Sequence, residues 1–228
     1  AEFEPVLLAG TTVRRATLSG LQHPVVGAYS GDVTITDSLI RLPDNPSTAL
    51  WTTDGGSAAR NTSTILGERL TIAGTGAASQ GAVVAEGGNG TEVDEMRITL
   101  RDSIVTGVQD GAVCNENNAQ SINAITLVRV NQAPAPTDED TCDSSSQSGI
   151  TRTDTTALDP GFVNPAGGDY RLRTDSPLLD RGPAAAALPG LSATDLDGAP
   201  RLNDGDGDCT AELDLGAFET QAPTAAAC

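Results

Sequence analysis

The sequence contains no lysine, a single histidine (His23) and only 3% aromatic residues. Each shortage excludes something. Thirteen arginines against 31 acidic residues leave a formal charge of −18. A nucleic-acid partner or an anionic membrane surface needs clustered cations, which this composition does not supply. A protein core normally draws much of its bulk from Phe, Tyr and Trp. Here the interior must come from Val, Ile, Leu and Ala, which suits thin, regularly stacked layers. One histidine and four cysteines without a C-x-x-C spacing do not make a zinc site. No apolar run approaches the ~20 residues of a membrane-spanning helix. The opening Ala1-Glu2-Phe3-Glu4 is acidic where a secretory leader is basic. The chain is therefore expected to be a mature form or an excised part of a longer protein.

What is present is repetition. Five stretches begin with period-2 alternation, the mark of a strand with one buried face: 11–18, 33–40, 65–72, 98–105 and 125–132. Gly, Ser, Asn, Asp and Pro fill the intervals, as in Gly87-Gly88-Asn89-Gly90, and build turns. The fifth residues of the stretches are Arg15, Asp37, Arg69, Asp102 and Arg129, spaced 22, 32, 33 and 27 residues apart. One coil per stretch predicts an all-β fold, a single-stranded parallel β-helix (solenoid). A lone coil cannot bury its apolar face, whereas coils stacked about 4.8 Å apart share one interior. Three inward files are expected. Val33, Ile65, Ile98 and Ile125 form the first; Ile35, Leu100 and Leu127 form the second, with Gly67 as its weak point. Leu18, Ile40, Ile72 and Val105 form the third, beyond a bend. The fifth position alternates in sign, so stacking would make a charge ladder that places Asp37 and Asp102 near arginines of neighbouring coils.

From Asp159 the texture changes. The segments Asp159-Pro160-Gly161-Phe162, Gly168-Asp169-Tyr170-Arg171-Leu172 and Ser176-Pro177-Leu178-Leu179-Asp180-Arg181-Gly182 follow one another. Asp195-Leu196-Asp197-Gly198-Ala199-Pro200-Arg201 and Asp214-Leu215-Gly216-Ala217-Phe218-Glu219 complete the series. In order and content this resembles the C-terminal end of secreted bacterial β-helix repeat proteins of the choice-of-anchor Q type. The resemblance implies a right-handed parallel β-helix closed by this tail, on a secreted or surface protein, and implies no particular activity. The expected organisation is coils over 1–135, a polar loop region over 136–158 and a capping segment over 159–228. Phe162, Tyr170, Leu172, Leu178, Leu179, Leu215 and Phe218 are expected to cover the open end of the stack, where strand edges would otherwise invite aggregation. Pro5-Val6-Leu7-Leu8-Ala9 enters the first coil with no amphipathic cap. Four cysteines in an acidic, loop-rich chain suggest an oxidising compartment. Three pairings are open, and chain adjacency favours Cys114–Cys142 and Cys209–Cys228.

The best ligand candidate is the acidic loop Asp204, Asp206 and Asp208, followed by Glu212 and Asp214. Alternating carboxylates suit calcium, although Cys209 and Leu215 stand where an EF-hand loop needs glycine and glutamate. The alternative is a solvated acidic turn. A polysaccharide lyase or glycoside hydrolase on a β-helix is the rival functional reading, with Asp37 and Asp102 as its carboxylates and Arg69 and Arg101 nearby. Two aspartates two coils apart, no lysine and a turn-like setting for His23 weigh against it, and no catalytic residue is assigned. Sugar contact without cleavage would use Trp51 or Tyr29, though Trp51 is expected to be a loop anchor. Asn61-Thr62-Ser63 and Asn89-Gly90-Thr91 fit the glycosylation pattern, a weak signal. The reading is an extracellular or cell-surface β-helix with a structural, adhesive or carbohydrate-contacting role. Its partners would be carbohydrate, neighbouring copies in a filament, or upstream coils of a longer parent.

Overall fold

The computed structural model describes residues 10–19, 24–42, 48–53, 61–75, 81–87, 94–115, 121–134, 137–140, 142, 148–184 and 191–221. These form an all-β structure without an α-helix. In chain order the strands are β1 (Thr11–Arg14), β2 (Thr17–Ser19), β3 (Val26–Tyr29), β4 (Gly31–Arg41), β5 (Leu50–Thr53), β6 (Thr62–Ala73) and β7 (Val83–Glu86). Then come β8 (Glu95–Thr106), β9 (Asp110–Asn115), β10 (Ile122–Ala133), β11 (Thr137–Asp140), β12 (Gly149–Thr153), β13 (Phe162–Asn164) and β14 (Asp169–Leu172).

One sheet runs β1-β4-β6-β8-β10-β12, with β2 also beside β4, and a second runs β11-β9-β7-β5-β3. Every pairing in these two sheets is parallel; β13 and β14 form a separate antiparallel pair. From β3 to β12 the chain places successive strands in the two sheets alternately. Registers match the expected files. Val33 pairs with Ile65, Ile65 with Ile98 and Ile98 with Ile125. Ile35, Gly67, Leu100 and Leu127 align likewise, as do Leu18, Ile40, Ile72 and Val105. Together with Val26, Leu50 and Val83 of the facing sheet they make one buried aliphatic core. Gly67 is less of a weak point than its missing side chain suggests. Methyls of Leu70, Leu100 and Leu50 lie 2.9, 3.0 and 3.3 Å from where its Cβ would stand.

The bend that separates the files has a specific cause. Arg15, Asp37, Arg69, Asp102, Arg129 and Asp154 all have φ between 48° and 54°. A residue in this left-handed region turns the strand and resets its alternation, so Ile40, Ile72 and Val105 face inward while Leu39, Thr71 and Ile104 face out. Backbone N–H groups next to the turn need new acceptors. The Ser38 hydroxyl accepts from the Ala16 N–H at 3.1 Å, and the Ser103 hydroxyl from the Leu70 N–H at 2.9 Å.

Two expectations are corrected. The supposed polar loop over 136–158 contains β11 and β12, so each sheet gains a further strand there. The tail does not lie over the end of the stack. It leaves at Thr156, which bridges Asn131, then turns back along the flank. Phe162, Tyr170, Leu172, Leu178, Leu215 and Phe218 pack on the outward Leu39, Ala73 and Ile104 as a second core. The Gly216 N–H donates to the Asp102 carbonyl at 2.9 Å, and the Ala217 N–H to the Thr71 hydroxyl at 3.0 Å. Cys114 and Cys142 are disulfide-bonded, closing a separation of 28 residues. Cys228, residues 5–9, His23 and Asn89 lie outside the described residues.

Candidate functional site

Three of the bend charges, Asp37, Arg69 and Asp102, are buried and paired. Arg69 Nε donates to Asp37 Oδ1 at 2.7 Å, and Arg129 Nε donates to Asp102 Oδ1 at 2.6 Å. Arg15 instead reaches the tail, donating to the Thr194 hydroxyl at 2.9 Å. The tail supplies a residue that sequence reasoning missed. Arg201 donates through Nη2 to Asp37 Oδ1 at 2.5 Å and through Nη1 to Glu219 Oε1 at 2.8 Å. The side chains of Asp37, Arg201 and Glu219 are each 1% exposed, against 30% for Arg129. Burial would raise the Asp37 carboxyl, but the charges of Arg201 and Arg69 and their hydrogen bonds outweigh it and hold it below the usual range. Glu219 goes the other way. Burial first, then the neighbouring Asp214, push it up to about 9, with Arg201 opposing. Burial also lifts Asp214 to about 6, although N–H groups of Thr220 and Asp180 bind it. Asp195 accepts from the Ala199 and Glu219 N–H groups. The only sequence signal for Arg201 was its place in the D-x-D-G-x-x-R segment.

This arrangement bears on catalysis. A hydrolytic pair would need two carboxylates facing one bond from a few ångströms away. Asp37 and Asp102 sit two levels apart, about 10 Å at the strand spacing, and each has an arginine on it.

The acidic loop is organised largely by itself. Asp204 Oδ1 accepts from the Gly207 and Asp208 N–H groups, and its Oδ2 accepts from the Cys209 N–H. Asp206 accepts from the Asp208 N–H and Asp208 from the Thr210 N–H, as Asx turns do. One oxygen each from Asp180, Asp204 and Asp206 lie within 4.8 Å of one another, so the three could hold a metal ion. The expected five-residue set is thus redrawn. Asp208 turns to Thr210, Glu212 sits in an isolated bridge with Asn203, and buried Asp214 receives the Asp180 N–H from below. Asp180 was missed because it lies 24 residues before Asp204. Its Oδ2 accepts from the Asp206 N–H at 2.9 Å, while its buried Oδ1 has no hydrogen-bond partner. Burial, then the Asp206 charge, raise the Asp180 carboxyl.

A third feature is an open groove of about 460 Å³ where the tail crosses the end of β4. The sheet contributes Thr17, Leu39 and Arg41; the tail contributes Tyr170, Arg171 and Asp197 among others. Arg171 is held in a two-pronged pair with Asp169, at 2.8 and 2.5 Å. The Arg41 guanidinium lies beside Gly168, 3.4 Å from the place a Cβ would take.

Trp51 is on strand β5 rather than in a loop. It is half-buried, meets Tyr29 edge to face at 5.5 Å and donates to Glu86 at 3.2 Å. Asn61 is buried, its side chain accepting from the Ser30 hydroxyl, which makes it a poor glycosylation acceptor. Among the described residues no helix is long and apolar enough to cross a membrane. No protein-family model, curated protein or solved structure matches the chain.

Proposed function

We propose that the chain is a right-handed parallel β-helix of a secreted or cell-surface protein, with a structural, adhesive or carbohydrate-contacting role and no catalysis of its own. Strands that alternate between two parallel sheets support the solenoid, and parallel crossovers are right-handed in nearly all proteins. The disulfide is compatible with an oxidising, extracellular setting. The five tail segments keep the choice-of-anchor Q resemblance as the family reading. One observation carries the non-catalytic role: the carboxylates of Asp37 and Asp102, which a hydrolase would need free, are bound by Arg69, Arg201 and Arg129. The test is a screen for cleavage of plant, algal and bacterial polysaccharides, run beside a glycan array, with and without calcium. Binding without turnover is expected; turnover of any polymer overturns the reading.

Calcium at Asp180, Asp204 and Asp206 belongs to the same proposal. A cation that binds only the folded chain raises its melting temperature. Unfolding in millimolar calcium should therefore occur a few degrees higher than in chelator, and Asp180→Asn should abolish the difference. An equal melting temperature in both buffers removes the metal.

A further inference from the structure

We propose that the groove between the end of β4 and the tail is a binding site for a neutral, hydroxyl-rich oligosaccharide. This deepens the carbohydrate-contacting reading and rests on it. The argument starts from the charges of the lining. Among the lining residues Arg41 and Arg171 are matched by Asp169 and Asp197, so the groove carries no net charge. The rest of the molecule is strongly anionic, at −18. An anionic ligand would meet long-range repulsion on approach and no local excess of cations on arrival. A neutral ligand meets neither obstacle.

The hydrogen-bonding inventory points the same way. Arg171 and Asp169 are fixed to each other, so their geometry is set before any ligand arrives. Among the described residues Arg41 and Asp197 have neither an ion pair nor a side-chain hydrogen bond, and both are exposed. The Arg41 guanidinium stands beside Gly168, 3.4 Å from the place a Cβ would take there. The groove thus offers free donors from one side and a free acceptor from the other. A sugar hydroxyl both donates and accepts, and a pair of adjacent hydroxyls can use both walls at once. Leu39, Tyr170 and Phe218 lie beneath but are buried in the second core, so recognition falls to the polar walls. The volume is within the range of small-ligand sites.

The test is an array of neutral di- to tetrasaccharides (glucans, mannans, xylans, galactans) beside uronate-containing and sulfated ones, probed with the full chain. Titrations of the best neutral ligand then use wild type, Arg41→Ala, Asp197→Asn and Trp51→Ala. Arg41 and Asp197 are exposed and unpaired, so their variants should melt with the wild type. The expected result is binding of at least one neutral oligosaccharide, weakened tenfold or more by Arg41→Ala and by Asp197→Asn and unchanged by Trp51→Ala. Neutral-sugar binding that both groove variants leave intact, or that Trp51→Ala abolishes, overturns the groove while leaving the carbohydrate reading standing. Binding confined to acidic glycans overturns the neutral-ligand assignment. Silence across the whole array overturns both.

Discussion

An arginine with φ near +50° is an uncommon choice, since L residues with a Cβ enter that region at a cost and Asn or Asp enter it most readily. Arg15, Arg69 and Arg129 adopt it at alternate levels, with Asp37 and Asp102 between them and Asp154 after the last. Where the charge is buried it is paired, with Arg69 and Arg201 both on Asp37. Removing one member of a buried pair leaves the other uncompensated, at about 3–5 kcal/mol. Asp37→Asn keeps a residue that tolerates the turn, yet strips the carboxylate from both Arg69 and Arg201. It is expected to cost about 3–5 kcal/mol in urea unfolding. Asp102→Asn, whose Arg129 can reach water, should cost about 1–2 kcal/mol. Equal losses would show that exposure of the arginine does not govern the difference. Backbone contact sets a second contrast. A Cβ at Gly74 would stand 2.3 Å from the Gly107 carbonyl oxygen, whereas at Gly67 it meets only leucine methyls. Gly74→Ala should therefore cost about 2–3 kcal/mol by overpacking and Gly67→Ala less than about 1, read from the same unfolding curves. The fifth-position residues were legible as an aligned set. Their left-handed backbone was not, because neither arginine nor aspartate announces it as glycine would.

The long strands β4, β6, β8 and β10 were legible because each carries enough alternation to show period 2. Their partners in the second sheet were not. Val26–Tyr29 and Val83–Glu86 are four residues long and small or mixed in character, too short for a period to register. Thr137–Asp140 is almost wholly acidic, a composition that reads as loop and is tolerated at a sheet edge. The tail's leucines and aromatics were legible as buried, but no pattern in them tells a flank from an end. The surface they cover, Leu39 and Ile104, only faces outward because of the turn at the preceding bend. Docking of this element should depend on pH. Glu219 titrates at about 9 in the folded chain against an ordinary 4.5, so the folded state holds its proton more tightly. That contribution is complete below about 4.5 and is lost as pH rises through about 9. Asp214 adds the same sign over a lower window, up to about 6. Asp37, held low, acts oppositely and costs stability only as acid protonates it. The melting temperature should fall from pH 5 towards pH 9, and Glu219→Gln should flatten the decline. A profile unchanged by that substitution would mean the carboxyl is not the group responsible.

At the scale of the molecule the dominant fact is a charge of −18. Self-repulsion of that size opposes compaction, and salt relieves it. The screening length shrinks from about 30 Å at 0.01 M to about 3 Å at 1 M. Raising sodium chloride over that range should increase the melting temperature, since the Asp37–Arg69–Arg201 pairs are buried and weakly screened. A fall would indicate that exposed ion pairs outweigh repulsion. A last consequence concerns how long such a molecule can be. Because the returning segment grips Arg15, Asp37, Thr71 and Asp102 at four successive levels, it acts as a gauge of the rungs it spans. Deleting one rung inside that interval would leave a grip with no counterpart.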